Sequence, residues 1–192
     1  MKLYFIRHGQ SEGNAAHFHN SWLQVNLTEQ GKEDARMAGR LLKGLSFDKV
    51  YTSDLVRTIQ TKEIALPGVE AEALKMLREV NIGSLLGRKV ADCTAEYGEP
   101  YLRSRRVKDY SLYGGESYEM LCDRVREFLT MMEASDYERV AVFCHRIYIE
   151  ALADVVTGAR HDSTMLCSNG SVSVFEFRDG KWYLEVWNCK EL

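Results

Sequence analysis

Leu3-Tyr4-Phe5-Ile6-Arg7-His8-Gly9-Gln10-Ser11-Glu12-Gly13-Asn14 is the stretch on which the reading of the fold turns. Leu3 to Ile6 is an apolar run long enough for a buried strand and too short for a helix. It runs directly into a cation, an imidazole and a glycine, so a polar turn hangs from the strand's carboxyl end. In an open α/β sheet that is where ligands sit. Gly9 and Gly13 would let the backbone approach a bound group, and Asn14 adds an amide donor. A neutral imidazole beside a fixed cation suits attack on a dianion, because the arginine offsets the charge that the histidine nitrogen must approach.

Working outward, the same strand-then-helix grammar repeats. Residues 15–27 are irregular, and the His17-x-His19 pair lacks the neighbouring Cys or carboxylate that would complete a metal site. Thr28 caps a helix with the apolar stripe Ala35, Met37, Ala38, Leu41 and Leu42, ended by Gly44. Lys49–Thr52 reads as a second strand. It leads to Ser53-Asp54 and a helix with Leu55, Ile59, Ile64 and Ala65 inward and Arg57 in its first turn. Residues 73–77 are a weaker strand, followed by Arg78, Glu79 and a turn over 82–87. Residues of about 88–114 are basic and poorly periodic, with Arg103, Arg105, Arg106 and Lys108; they read either as a solvated face or as a cap over the site. A helix follows Gly114-Gly115-Glu116-Ser117 to about Ala134, with the stripe Leu121, Val125, Phe128, Leu129 and Met132.

Arg139–Cys144 is a continuous, short, apolar segment of the kind found at the centre of a parallel sheet. It ends on His145, so a second histidine occupies the same kind of strand terminus as the first. Ser171–Phe177 and Trp182–Trp187 alternate around Asp179-Gly180, a hairpin signal. Together these units predict an α/β three-layer sandwich with a mainly parallel central sheet flanked by helices.

Composition narrows the class. In 192 residues, 45% hydrophobic and 28% charged content is ordinary for one soluble domain with a full core. A net charge of −3 offers no global attraction to nucleic acid or anionic lipid, so any anion site must be a local cluster of arginines. No apolar run reaches bilayer-spanning length, and the N-terminus enters the first strand directly, which leaves no signal peptide. Five scattered cysteines without a Cys-x-x-Cys pair point to reduced thiols in the cytoplasm. These features point to no nucleic-acid or membrane partner and to a monomer or homodimer.

Arg7, His8, Arg57, Glu79 and His145 thus stand at strand ends or first helical turns. Here the sequence resembles the histidine phosphatase superfamily, in its phosphoglycerate mutase-like branch, over nearly the whole chain. Arg7-His8-Gly9 with Asn14 resembles the family's opening signature. Ser21-Trp22 and Leu27-Thr28-x-x-Gly31 are similar to its next segment, although Gln24 stands where an aspartate is common. Thr52-Ser53-x-Leu55-x-Arg57-x-x-Gln60-Thr61 matches the part carrying the second arginine, and Leu77-Arg78-Glu79 with Gly83 the part supplying the acid. Gly115-Glu116-Ser117 and His145 complete the series.

The resemblance implies a single phosphatase domain over residues 1–192, in which His8 becomes a phosphohistidine. Arg7 and Arg57 would grip the phosphoryl oxygens with Asn14 and His145, while Glu79 moves the proton. No metal or other cofactor is required, because cationic side chains neutralise the charge. Ser21, Trp22, Arg105, Arg106 and Arg146 are further substrate-binding candidates. The expected activity is that of a phosphomonoesterase on a small phosphorylated metabolite. Phosphoglycerate mutase-type transfer is the alternative, and a non-catalytic phosphate-binding regulator a third reading. Leu86 replaces a glutamate common among the phosphatases, whereas the chain lacks the longer insertion and tail of the glycolytic mutases. Arg146 stands where a glycine usually follows the second histidine. In a positive-φ turn it would be strained; it either binds an anionic substrate group or pairs with a carboxylate such as Glu150.

Overall fold

Every strand end named above lies in one six-stranded sheet. The computed structural model describes residues 1–159 and 165–191. Strands β1 (Lys2–Arg7), β2 (Lys49–Ser53), β3 (Glu72–Leu74), β4 (Arg139–Cys144), β5 (Val172–Arg178) and β6 (Lys181–Cys189) run in the order β3-β2-β4-β1-β5-β6. The first four are mutually parallel, and β5 and β6 add an antiparallel hairpin against β1. Asp179 and Gly180 close that hairpin with φ of 51° and 72°, the paired positive values that a two-residue turn needs to follow the strand twist.

Helices α1 (Glu12–Ala15), α2 (Glu29–Leu41), α3 (Val56–Ala65), α4 (Val90–Val107), α5 (Tyr118–Glu133) and α6 (Arg146–Thr157) complete the fold. Strand side chains alternate between two faces. Leu3, Phe5, Val140, Val142 and Cys144 join the core shared with α5 and α6, whereas Ile6, Ala141 and Phe143 join the one shared with α2 and α3. The result is the expected three-layer α/β sandwich. Thr28 caps α2 by accepting from the Gly31 amide at 3.1 Å, and Ser117 caps α5 from Met120 at 3.2 Å. All five cysteines are free, four of them buried. Among the described residues no helix is long and apolar enough to cross a membrane.

Three expectations need correction. Residues 73–77 are not one strand: pairing with β2 stops at Leu74 and a 3₁₀ turn takes Lys75–Leu77. Ile59 does not face inward but is 36% exposed, because α3 buries its Arg57, Thr58, Thr61 and Lys62 side instead. That side packs toward the polar turn after β1, where hydrogen bonding rather than apolar area decides the orientation. Thirdly, most of the basic segment is helical, as α4. It breaks at Gly98, whose φ of 56° ends one helical piece, and Pro100 falls in the first turn of the next, where its missing N–H costs nothing. Each piece is short and the break shifts the phase between them, so no sustained 3.6-residue stripe exists to be read.

Candidate active site

Parallel pairing of β1 with β4 sets Arg7 opposite Cys144, so His8 and His145 each lie one residue beyond neighbouring strand ends. β2 joins the other side of β4, and the turn after it delivers Arg57 in the first turn of α3. The three elements converge, and the imidazole centroids of His8 and His145 lie 5.2 Å apart.

His8 and His145 are both almost fully buried. The His8 Nδ1 lies 2.7 Å from the Gly9 carbonyl, so Nδ1–H donates there and the lone pair is left on Nε2. Arg57 donates to that Nε2 through Nε at 3.3 Å. Its Nη2 reaches His145 Nδ1 at 3.1 Å and the Ser21 carbonyl at 2.6 Å, and its Nη1 reaches the Leu23 carbonyl at 3.1 Å. One guanidinium therefore orients both rings. Burial, and then the charges of Arg57 and Arg7, hold the His8 imidazole well below its usual pKa; burial and Arg57 do the same for His145. Both rings are neutral at pH 7.

With Nδ1 accepting from Arg57, His145 carries its proton on Nε2. That atom is buried without a hydrogen-bond partner, and so is Arg7 Nε. Buried donors are rarely left unpaired, since each costs about 1–3 kcal/mol. Two of them beside the His8 ring describe a site shaped for an anion. Arg7 itself is anchored through Nη1 to the Cys167 carbonyl. Asn14 uses its Oδ1 to accept from the Ser11 amide at 3.1 Å in a capping box, which leaves its amide donors for the cleft.

Glu79 accepts from the Val80 amide at 3.1 Å and from Ile147 at 3.2 Å, at the amino end of α6, where a carboxylate is favoured. Its loop is heavily braced. Trp22 Nε1 donates to the Glu79 carbonyl at 2.7 Å, and Ser21 Oγ to the Val80 carbonyl at 2.5 Å. Arg78 pairs bidentately with Asp54 and lies 4.9 Å over the Trp22 ring. Arg124 grips both oxygens of Glu116 and donates to the Met76 and Arg78 carbonyls.

Arg7, His8, Asn14, Ser21, Arg57, Glu79, Arg105 and Arg146 all line one cleft of about 160 Å³, together with His19 and Tyr110. Trp22 supports its wall through the indole N–H without lining it. Arg106 departs from expectation: it turns to solvent and pairs with Glu99 at 3.2 Å, because successive residues of α4 cannot face the same way. Arg146 departs from the strain argument. His145 caps α6 in extended conformation, and Arg146 begins the helix with an ordinary negative φ. It does pair with Glu150, at 3.6 Å. Gly9 also serves otherwise than expected: a Cβ there would meet the Gly31 carbonyl oxygen at 2.1 Å, so it admits the amino end of α2 rather than a ligand. His19 bonds the Tyr101 hydroxyl at 2.6 Å, tying the loop after α1 to α4. Sequence reasoning missed Asn169, which donates to the His8 carbonyl at 2.9 Å, and Tyr110 in the cleft wall, where His19, weighed from the sequence only as half of a His-x-His pair, also lies. None of these sits in a pattern that distinguishes it from an ordinary loop or helix residue.

The model of the histidine phosphatase superfamily (branch 1) matches residues 3–190, which includes all of these positions. The chain belongs to that superfamily. Among curated relatives, 2,3-bisphosphoglycerate-dependent phosphoglycerate mutase of Azorhizobium caulinodans is 37% identical over 165 residues, 80% of either chain. The enzyme of the same name from Parvibaculum lavamentivorans is 36% identical over 154 residues, 74% of this chain and 73% of that one. Among solved structures, mycobacterial glucosyl-3-phosphoglycerate phosphatase superposes with a TM-score of 0.88 at 25% identity, covering 97% of this chain and 98% of its own. The α-ribazole phosphatase of Shigella flexneri shares the fold with a TM-score of 0.87 at 24% identity, covering 99% and 97%. The chain is thus an enzyme of a family whose members include both phosphatases and mutases.

Proposed function

We propose that the chain is a metal-independent phosphomonoesterase that works through a phosphohistidine on His8. The observation that carries this reading is the pair of unpartnered buried donors, Arg7 Nε and His145 Nε2, beside a neutral imidazole whose unprotonated Nε2 accepts a hydrogen bond from Arg57. A phosphate monoester brings a charge of about −2 that its transition state spreads over three equatorial oxygens. Arg7, Arg57, Asn14 and the His145 Nε2–H supply directed donors for those oxygens without solvent reorganisation. His8 Nε2 attacks phosphorus and the bond to the leaving oxygen breaks. Glu79, on the α6 side of the cleft, delivers the proton that this oxygen takes up. As a carboxylate it then removes a proton from the water that attacks the phosphohistidine, releasing inorganic phosphate and restoring both groups.

The cleft is small beside the roughly 300 Å³ of pockets that hold drug-sized ligands, which favours a small metabolite. In this reading α4 forms the cap within a single domain, and Arg105 is its contribution to substrate binding; Ser21 and Trp22 act through the Glu79 loop. Mutase-type transfer is the second reading, favoured by the identity to enzymes named phosphoglycerate mutase. The likeness over nearly the whole chain to a structure named glucosyl-3-phosphoglycerate phosphatase supports hydrolysis instead. The test is a panel of phosphomonoesters assayed with and without a phosphoglycerate acceptor, on the wild type and on His8→Ala. Phosphate release independent of acceptor is expected, with an acid-labile phosphoprotein that His8→Ala abolishes along with turnover. A variant keeping a tenth of the wild-type rate would remove His8 from the nucleophile role, and acceptor-dependent transfer as the main activity would establish the mutase.

A further inference from the structure

The cleft contains more positive charge than one phosphoryl group needs. Among the described residues its walls carry four arginines, Arg7, Arg57, Arg105 and Arg146, against a single carboxylate, Glu79. Arg7 and Arg57 already flank His8. A monoester dianion therefore leaves a positive excess on the side of Arg105 and Arg146, which calls for another negative group.

How Arg146 is held sharpens the point. Its Nη1 lies 3.6 Å from Glu150 Oε1, one turn further along α6, while Glu150 Oε2 lies 3.1 Å from Lys108 Nζ at the end of α4. Glu150 is 2% exposed and the Lys108 side chain 7%. Among the described residues, no neutral donor hydrogen-bonds to either carboxylate oxygen. A buried ion pair of this kind is a poor source of stability, since desolvation offsets most of the attraction. Its arrangement suits another purpose. Lys108 makes the closer contact and cancels the carboxylate's charge, so Glu150 can tether Arg146 without neutralising it. The guanidinium stays at the cleft wall as a net cation. Lys108 adopts a left-handed conformation, φ 58°, to end α4, and it also lies 5.6 Å over the Tyr118 ring. The tether thus runs from the cap, through α6, to the residue next to His145. Arg105 belongs to the same wall, 5.7 Å from the Tyr101 ring centroid. The buried Tyr110 lines the same cleft, its pKa pushed up to about 12 by burial against the opposing charges of Arg146 and Arg105.

We propose that Arg146, seated by the buried Glu150–Lys108 pair and joined by Arg105, binds a second anionic group, a carboxylate or a second phosphate, carried on the leaving part of the substrate. This rests on the assignment of the phosphoryl group to His8 and names the substrate class for that site. Arg146 is then a specificity residue, and Glu150 and Lys108 are positioning residues.

Binding of phosphonates, whose C–P bond resists hydrolysis, separates this proposal from catalysis. Ethylphosphonate, 2-carboxyethylphosphonate and ethane-1,2-bisphosphonate are titrated calorimetrically into the wild type, Arg146→Ala and Glu150→Gln, with melting temperatures to confirm folding. The wild type is expected to bind one of the doubly anionic probes at least tenfold more tightly than ethylphosphonate, and the preferred probe tells carboxylate from phosphate. Arg146→Ala should bring that preference below about threefold and change ethylphosphonate affinity less than twofold. Glu150→Gln should cut the preference at least threefold, again sparing ethylphosphonate. If Glu150→Gln fails to fold, the Lys108→Met/Glu150→Met double variant, which leaves no buried charge unpaired, takes its place. Equal wild-type binding of all three probes overturns the second subsite, and equal weakening of all three in Arg146→Ala makes Arg146 a phosphoryl ligand instead. An unchanged or increased preference in Glu150→Gln removes the tether. Failure of every phosphonate to bind, with no turnover of nitrophenyl phosphate, would instead sink the phosphoryl site at His8 and this inference with it.

Discussion

Acidification should destabilise this protein earlier and more steeply than its carboxylates can explain. His8 and His145 are buried and neutral in the fold, held below the ordinary histidine pKa first by burial and then by the arginines beside them. In the unfolded chain each titrates at about 6.5. Below that pH the unfolded state binds two protons that the folded state refuses, so stability rises with pH up to about 6.5 and is lost as pH falls beneath it. While both rings stay neutral in the fold, the loss between pH 7.5 and 5.5 is about 1.4 kcal/mol per histidine, or about 2.7 kcal/mol for the pair. Carboxylates titrate too far below this window to contribute more than a few tenths. His19, lowered to about 4 by burial and then Arg105, adds a smaller, solvent-screened amount. Urea unfolding at half-unit pH steps measures the slope, and His8→Gln should recover about half of the two-histidine loss. A level stability curve from pH 7.5 to 5.5, or one that His8→Gln leaves unaltered, would refute the neutral buried pair and the free nucleophile with it.

Glu79→Gln should reduce kcat/KM for an alkyl phosphate by about a hundredfold or more and for nitrophenyl phosphate far less, since a good leaving group needs little acid help; equal losses would move Glu79 out of the proton-transfer role. Arg105→Ala should raise KM for acidic phosphomonoesters selectively, whereas Arg106→Ala, at a solvent-exposed ion pair, should match the wild type on every substrate. Gly9→Ala should destabilise by roughly 1–3 kcal/mol through collision with the Gly31 carbonyl, a fall in Tm of about 2–4 °C per kcal/mol in a chain of this size. A melting curve superimposable on the wild type would show that α2 and the His8 turn can separate freely.

The sheet was legible in the sequence because burial on both faces leaves a mark that survives without tertiary context. Leu3–Ile6 and Arg139–Cys144 are continuous apolar runs, and only a parallel centre covered by helices on both sides accommodates such strands. The candidate chemical residues stood out for another reason: a lone histidine after a strand is more often structural, and it was the order and spacing of the surrounding motifs that singled them out. Arg57 was the ambiguous case, since a first-turn arginine is usually solvated. The structure brings it beside both histidines because α3 turns its polar face inward.

What escaped notice was the machinery whose meaning depends on partners remote in sequence. Glu116 and Arg124 brace the Glu79 loop across more than thirty residues, and Lys108 meets Glu150 across more than forty. Each residue alone looks like ordinary surface charge. α4 hid itself differently, since the Gly98 break divides it into pieces too short to show a period. These omissions share one cause. In the proposed reading the groups that the resemblance marks surround the phosphoryl position, where the chemistry admits few alternatives. In the same reading α4 and its tether to α6 surround the leaving group; Arg105 and Arg146 were candidates from the sequence, but only the fold joins them with Tyr110 in one cleft. A chain of this kind therefore declares its reaction class in its motifs and its substrate in its packing. The tether from Lys108 through Glu150 to Arg146 is the place where the two meet, since Arg146 is bonded in sequence to His145 and held in space by the cap.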